Sequence, residues 1–250
     1  MPGANLIWIE APDIAIAAQP GQFITVRCEG LTLRRPFSIH QVVVASEAKQ
    51  SQVALLFNVV GKGTLWLSQR ERGDKIDILG PLGKGFSIER EARNLLLVAG
   101  GIGIAPVVFL AQNASSRHSI TLIHGANTGA HLCQQQFLPK GVRLIPVTED
   151  GSIGQKGAVT DVLPHFLDWA DQVYACGPVD MYRAMAGMSL QAKRSDLKLK
   201  KCQVSLEVRI GCGIGACYGC TIKTKKGLKQ VCRDGPIFEL DDIMWEEVRL

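Results

Sequence analysis

Asn94-Leu95-Leu96-Leu97-Val98-Ala99-Gly100-Gly101-Ile102-Gly103-Ile104-Ala105-Pro106 is the stretch whose reading decides the fold. The unbroken apolar row from Leu95 to Ala99 is expected of a strand buried on both faces of a parallel sheet. Glycines follow, and then a helix candidate, Ala105 to Gln112. Pro106 suits the first turn of that helix, where its missing N–H is not needed. A strand, a glycine turn and a helix start in this order let the backbone approach a pyrophosphate. The pattern is not the strict Gly-x-Gly-x-x-Gly fingerprint, because Pro106 takes the last position, and a tight turn without a ligand is the competing reading.

Working outward, Ile120-Thr121-Leu122-Ile123-His124, Val142-Arg143-Leu144-Ile145-Pro146 and Gln172-Val173-Tyr174-Ala175 read as further strands separated by helix-length segments. That alternation predicts a doubly wound parallel sheet. Before it, runs such as Phe23-Ile24-Thr25-Val26-Arg27 and Val53-Ala54-Leu55-Leu56-Phe57 are rich in β-formers, between turns containing Gly or Pro. Short strands repeated over this length predict a small antiparallel β barrel, with no helix-length amphipathic pattern among them. The expected organisation is a barrel over 1–92, an α/β domain over 93–201 and a small cysteine-bearing domain over 202–250. The basic stretch Lys193 to Lys201 is expected to be a solvated connection.

Composition sets the outer limits. The 250 residues are 46% hydrophobic and 20% charged, enough apolar matter for a sizeable core and too much for a disordered chain. A net charge of +5 without a dense Arg/Lys stripe argues against a nucleic-acid partner. Leu95 to Ala111 carries no charge, but its glycines and proline favour the buried strand, turn and helix over a membrane span. The opening Met1-Pro2-Gly3-Ala4-Asn5 has no basic region leading into a long apolar core, so a cytoplasmic protein is expected.

Eight cysteines in a chain of this size do not suggest a disulfide scaffold. Cys28, Cys133, Cys176 and Cys202 are scattered, whereas Cys212-x4-Cys217-x2-Cys220-x11-Cys232 forms a cluster. This is the spacing of plant-type [2Fe–2S] ligation. A loop that wraps an anionic cluster must turn tightly and aim N–H groups at sulfur, which Gly211, Gly213, Gly215 and Gly219 permit. Cys232 is expected to return on a strand after the basic hairpin Lys223 to Lys229. Zinc is the competing metal, although structural zinc sites usually show paired knuckles and only Cys217 and Cys220 form one here.

Two motifs in the first part suit a flavin. Arg35-Pro36-Phe37-Ser38 offers a guanidinium for a pyrophosphate, a ring for stacking and a hydroxyl for a ring heteroatom. Val60-Gly61-Lys62-Gly63-Thr64 places amides at a helix start. In the second part, Cys176-Gly177-Pro178 ends a strand where open α/β sheets bind ligands, and Thr148-Glu149-Asp150-Gly151 ends another. After His124-Gly125-Ala126-Asn127-Thr128 no cation comes until Lys140, which favours NAD over NADP. His124 by itself reads as an ordinary polar residue.

Arg35-Pro36-Phe37-Ser38, then Gly63-Thr64, then Gly80-Pro81-Leu82-Gly83, resembles the ferredoxin–NADP reductase superfamily, an FAD-binding barrel followed by an NAD(P)-binding α/β domain. With the cysteine spacing added, nearly the whole chain resembles the iron–sulfur electron-transfer subunits of NAD-dependent dihydroorotate dehydrogenases. Phe37 stands where many superfamily members carry Tyr, keeping the stacking surface without the hydroxyl. The resemblance implies FAD contacts at Arg35, Pro36, Phe37, Ser38, Leu56, Phe57, Asn58, Gly63 and Thr64. It implies NAD contacts at Gly101, Gly103, Pro106, Cys176, Gly177 and Pro178, and cluster ligands at Cys212, Cys217, Cys220 and Cys232. Cys176 is read as a packing and positioning residue and not as a nucleophile. The implied partner is an FMN-containing dihydroorotate dehydrogenase catalytic subunit, in a heterotetramer of two of each, because no residues remain for a dihydroorotate pocket. Two rival readings stay open. One is a reductase subunit serving a hydrogenase, sulfite reductase or ferredoxin, and the other is a zinc-stabilised binding module.

Overall fold

β-branched and aromatic residues between glycine and proline turns build the first part of the chain. The computed structural model describes residues 1–46, 50–192 and 201–248, so the basic stretch expected to be a connection lies, Lys201 apart, outside the described residues. Strands β1 (Ala4–Glu10), β2 (Phe23–Val26), β3 (Arg35–Val43), β4 (Gln52–Asn58) and β5 (Ile78–Leu82) pair in the order β1-β4-β3-β2-β5. Every pairing in this sheet is antiparallel. Ile24, Val26, Ile39, Val53, Leu55 and Leu67 form its core with no exposed surface. Each such side chain contributes about 1.5–3 kcal/mol relative to an exposed one. Two short helices, α1 (Pro12–Ala17) and α2 (Lys62–Ser68), interrupt the strands, each too short to show an amphipathic repeat.

The apolar row is β6 (Asn94–Gly100), and Leu95 to Ala99 are wholly buried. A glycine turn leads into α3 (Ile104–Ala114), and β7 (Ser119–Ala126), β8 (Val142–Thr148) and the short β9 (Gln155–Lys156) follow on one side. Two one-turn helices, α4 (Val159–Val162) and α5 (Pro164–Leu167), precede β10 (Gln172–Cys176), and α6 (Val179–Ala192) comes after it. The sheet continues with β11 (Cys202–Ser205). Beyond it lie the hairpin β12 (Thr221–Thr224) and β13 (Gly227–Gln230), the one-turn helix α7 (Val231–Asp234) and β14 (Ile237–Glu239). The seven-stranded order is β14-β11-β10-β6-β7-β8-β9, parallel except where β14 meets β11.

Two expectations need correction. No α-helix joins β7 to β8; that crossover holds only single 3₁₀ turns at Gly129–His131 and Gln135–Phe137. The glycines and Pro139 break it, and Gln135 instead bonds the backbone of Val142 and Leu144. Cys232 lies on α7 and not on a strand. There the Asp234 carboxylate accepts the Gln230 N–H at 2.8 Å and turns the chain.

The two sheets are tied by polar contacts, one buried and two at the surface. His40 Nδ1 on β3 lies 2.9 Å from the Ala105 carbonyl. Gln112 of α3 donates to the Val42 carbonyl at 2.9 Å and accepts from the Val42 N–H at 3.4 Å. Phe109 of the same helix packs in the core of the antiparallel sheet.

Candidate functional site

Strand order reverses between β6 and β10, since β7 and β8 lie to one side and β11 to the other. Ligands of open α/β sheets bind beyond the carboxyl ends of strands at such a switch point. A cavity of about 530 Å³ opens there, lined by Gly100, Gly101 and Ile102 after β6, Asn127 after β7, Glu149 after β8 and Pro178 after β10. The walls fit closely because side chains are missing: a Cβ on Gly100 would stand 2.7 Å from Pro178 Cδ, and one on Gly103 would overlap the Cys176 carbonyl. Gly101 has φ +54 and nothing within 4 Å of its missing Cβ, so its backbone is open to the cavity side of the turn. Among the described residues the lining holds two carboxylates, Glu149 and Asp180, and no Lys or Arg.

Of the residues proposed for the dinucleotide, Gly101 and Pro178 line this cavity. Gly103, Pro106, Cys176 and Gly177 do not line it. Cys176 is fully buried, and burial, reinforced by the Glu207 charge, holds its thiol well above the ordinary range. That suits packing and not nucleophilic attack.

A second cavity of about 260 Å³ shares Asn58 and Ile102 with the first. Pro36, Phe37, Ser38, Leu56, Phe57, Asn58 and Thr64 all line it, which brings the two flavin motifs together. Phe37 and Phe57 meet edge to face at 5.3 Å between centroids. Arg35 and Gly63 stand outside this lining but against each other, with a Cβ on Gly63 only 2.6 Å from Arg35 Cγ. The Arg35 guanidinium donates to the Leu33 carbonyl at 2.6 Å.

Sequence reasoning missed the opposite wall: Ser205, Leu206, Glu207, Val208 and Ile210. These residues continue from β11, which lies beside β10 in parallel register. The available signal was the β-rich run Val204 to Val208 directly before the cysteines. Glu207 is exposed on this wall, yet desolvation holds its carboxyl above the ordinary range. The chain then runs from Ile210 at the cavity to Cys212, two residues that span at most about 7 Å.

The cysteine loop carries the signature of an anionic sulfur site. The Ala216 and Cys217 amides donate to Cys212 Sγ at 3.2 and 3.4 Å, and Gly215 donates to Cys232 Sγ at 3.2 Å. Gly219 donates to Cys217 Sγ at 3.5 Å and Cys232 to Cys220 Sγ at 3.4 Å. Gly213 and Gly215 take φ of +79 and +82, which folds the loop. A Cβ on Gly211 would meet Cys217 Sγ at 3.2 Å. Desolvation raises the Cys212 thiol, but the amides and the Cys217 thiol outweigh it and bring its pKa down to about 6. Cys232 is pushed up to about 12 by burial and by its neighbour Cys220. Backbone amides thus reach all four sulfurs of the loop. The Cys212-x4-Cys217-x2-Cys220-x11-Cys232 spacing fits a two-iron cluster better than the paired knuckles of a structural zinc site.

Known proteins fall in with this geometry. Residues 207–244 match the iron–sulfur cluster binding domain of dihydroorotate dehydrogenase B, and 97–187 match the oxidoreductase NAD-binding domain. A dihydroorotate dehydrogenase B (NAD(+)) electron transfer subunit from Desulforamulus reducens is 39% identical over 98% of this chain and 94% of its own length. One from Caldanaerobacter subterraneus subsp. tengcongensis is 38% identical over 90% of this chain and 87% of its own. Among solved structures, the NADH-dependent reduced ferredoxin-NADP oxidoreductase studied for flavin-based electron bifurcation aligns with a TM-score of 0.83. It is 30% identical over 98% of this chain and 86% of that one. The ferredoxin reductase in carbazole 1,9a-dioxygenase shares the fold, with a TM-score of 0.64 and 19% identity over 76% of this chain and 61% of that one. With two adjoining cavities, a cysteine loop within the matched iron–sulfur domain and relatives that match almost end to end, this chain belongs to the family of dihydroorotate dehydrogenase B (NAD(+)) electron transfer subunits.

Proposed function

We propose that the chain carries electrons from the FMN of a dihydroorotate dehydrogenase catalytic subunit to NAD+, serving pyrimidine biosynthesis. The observation that carries this reading is the segment Ser205–Cys212, which walls the smaller cavity and then enters the cysteine loop. Bound in these places, a [2Fe–2S] cluster and FAD supply the electron transfer and the hydride chemistry.

The residues then divide the work. Cys212, Cys217, Cys220 and Cys232 hold the cluster while loop amides offset the charge on sulfur. Phe37, Phe57, Leu56 and Pro36 give the flavin an apolar seat, Ser38, Asn58 and Thr64 orient it, and Arg35 with the Gly63 turn takes its pyrophosphate. Gly101, Gly103, Pro106 and the Cys176-Gly177-Pro178 turn shape the NAD site at the switch point, where Glu149 and Asp180 discourage a 2′-phosphate. Asn58 and Ile102 line both cavities, so a nicotinamide and a flavin held in them would adjoin across these two residues. The working assembly is a cytoplasmic heterotetramer of two chains of each kind, with segments 1–92, 93–201 and 202–250 centred on FAD, NAD and cluster. No helix among the described residues is long and apolar enough to cross a membrane.

The test is direct. Anaerobically purified protein should hold about two irons, two acid-labile sulfides and one FAD per chain. Alone it should reduce dyes with NADH but leave dihydroorotate untouched, and adding the FMN subunit should restore dihydroorotate-dependent NAD+ reduction. Zinc in place of iron, or dihydroorotate turnover by this chain alone, would sink the reading. Coupling to reduced ferredoxin but not to the FMN subunit would favour the ferredoxin-linked relative's kind of partner.

A further inference from the structure

His124, at the end of β7, is buried, and both its ring nitrogens are committed. The Cys133 N–H lies 3.1 Å from Nδ1, and Nε2 lies 3.0 Å from the Gly101 carbonyl. A backbone N–H can only donate, so Nδ1 must present its lone pair and Nε2 must carry the hydrogen given to Gly101. The chain therefore fixes one tautomer. Its acceptor, the Gly101 peptide, belongs to the cavity-lining turn with φ +54. Cys133 follows the loop that carries Asn127 and His131, two other lining residues.

We propose that His124 is a positioning residue for the dinucleotide, holding the Gly101 carbonyl so that the turn is already set when a pyrophosphate arrives. A carbonyl is a negative dipole end, and fixing its direction fixes where the N–H groups of the same turn point. The same carbonyl accepts the Ile104 N–H within the 3₁₀ turn, and Nε2–H engages it from β7, so the peptide cannot rotate without breaking two hydrogen bonds. The inference rests on the larger cavity being the NAD site.

Two substitutions separate the ring's two jobs. His124→Gln can reach Gly101 with an amide N–H while losing the Cys133 bond. His124→Asn can accept from Cys133 while losing Gly101. Calorimetry on FAD- and cluster-loaded protein should show NADH bound about 10-fold more weakly by His124→Asn, the scale of one lost hydrogen bond, with affinity rescued to within about 3-fold by His124→Gln. The steady-state counterpart is a raised KM for NADH with little change in kcat for dye reduction. Equal affinity in the two variants, or the reverse order, would overturn the proposal. In the wild type, ¹⁵N shifts should report the Nε2–H tautomer and should move on adding NADH. An Nδ1–H tautomer, or no movement under saturating NADH, overturns the proposal even if a variant fails to fold. Wild-type protein that binds no NADH would instead overturn the assignment of the cavity.

Discussion

Arg34 and Arg35 are neighbours on one chain, yet their guanidinium groups keep different company. Arg34 pairs with the Asp77 carboxylate at 2.7 Å, whereas Arg35 bonds only backbone carbonyls and lies on Gly63. Arg35→Ala should weaken FAD binding at least ~10-fold, since a charge-assisted bond to pyrophosphate is worth roughly 1.5–3 kcal/mol. Arg34→Ala loses a partly exposed ion pair worth up to about 1 kcal/mol of stability and should leave FAD affinity nearly intact. Equal losses in a flavin-release titration would refute the distinction. His124 supplies a second residue-scale expectation. Burial, offset in part by the Gly101 carbonyl, lowers its pKa to about 4 from 6.5. The folded state then binds fewer protons than the unfolded one, so stability is intact above pH 6.5 and falls as pH drops toward 4. Up to about 3 kcal/mol is at stake. Denaturant midpoints should fall more steeply across that window in wild type than in His124→Gln, and parallel curves would count against it. This role was not legible in the sequence, because a lone histidine reveals nothing of the carbonyl it meets across a sheet.

At the scale of the element, the cysteine loop was the most readable part of the chain. Three of its cysteines lie within nine residues, so spacing alone constrains the ligand set. The fourth was misplaced onto a strand because the turn at Cys232 depends on the Asp234 carboxylate, a contact with no periodic signature. The β7–β8 crossover misled for a similar reason: its length allows a helix, but Gln135 uses its amide to hold β8 instead. The wall from Ser205 to Ile210 was hidden by distance, reaching Phe37 and Phe57 only through the register of β11 on β10. The loop's self-contained amide network gives an expectation. Cys217→Ser should remove the visible absorption and iron of the cluster while FAD remains bound, since none of the motif residues from Arg35 to Thr64 lies in the loop. Loss of both on a desalting column would show that the cluster also supports the flavin wall.

For the whole molecule, the order of the three sites is set by shared walls. The larger cavity touches the smaller through Asn58 and Ile102, and the smaller reaches the cysteines through Ile210. A cut at the far end should leave the near end working. Cys220→Ser, assembled with the FMN subunit, should lose dihydroorotate-dependent NAD+ reduction yet retain NADH–dye activity. A cluster-free variant still coupled to NAD+ would mean that electrons take another route. Both the barrel and the doubly wound sheet were readable from the chain, because each buries a pattern that repeats within a few residues. Their mutual placement was not, since it rests on single contacts such as His40 with Ala105 and Gln112 with Val42.

The pairing of β14 with β11 has a consequence for how the protein comes into being. All four clustered cysteines lie between these two strands, which pair antiparallel through Gln203–Glu239, Val204–Phe238 and Ser205–Ile237. The cysteine segment is thus a loop closed at its base, not a bead on a tether. On the ribosome β11 stays an edge strand until β14 has emerged. Metal delivery that waited for the finished base would meet the sulfurs already clamped. The same clasp ties the segment's inheritance to its neighbour: a graft of the cysteines into another reductase has to carry both strands and a parallel edge to receive them.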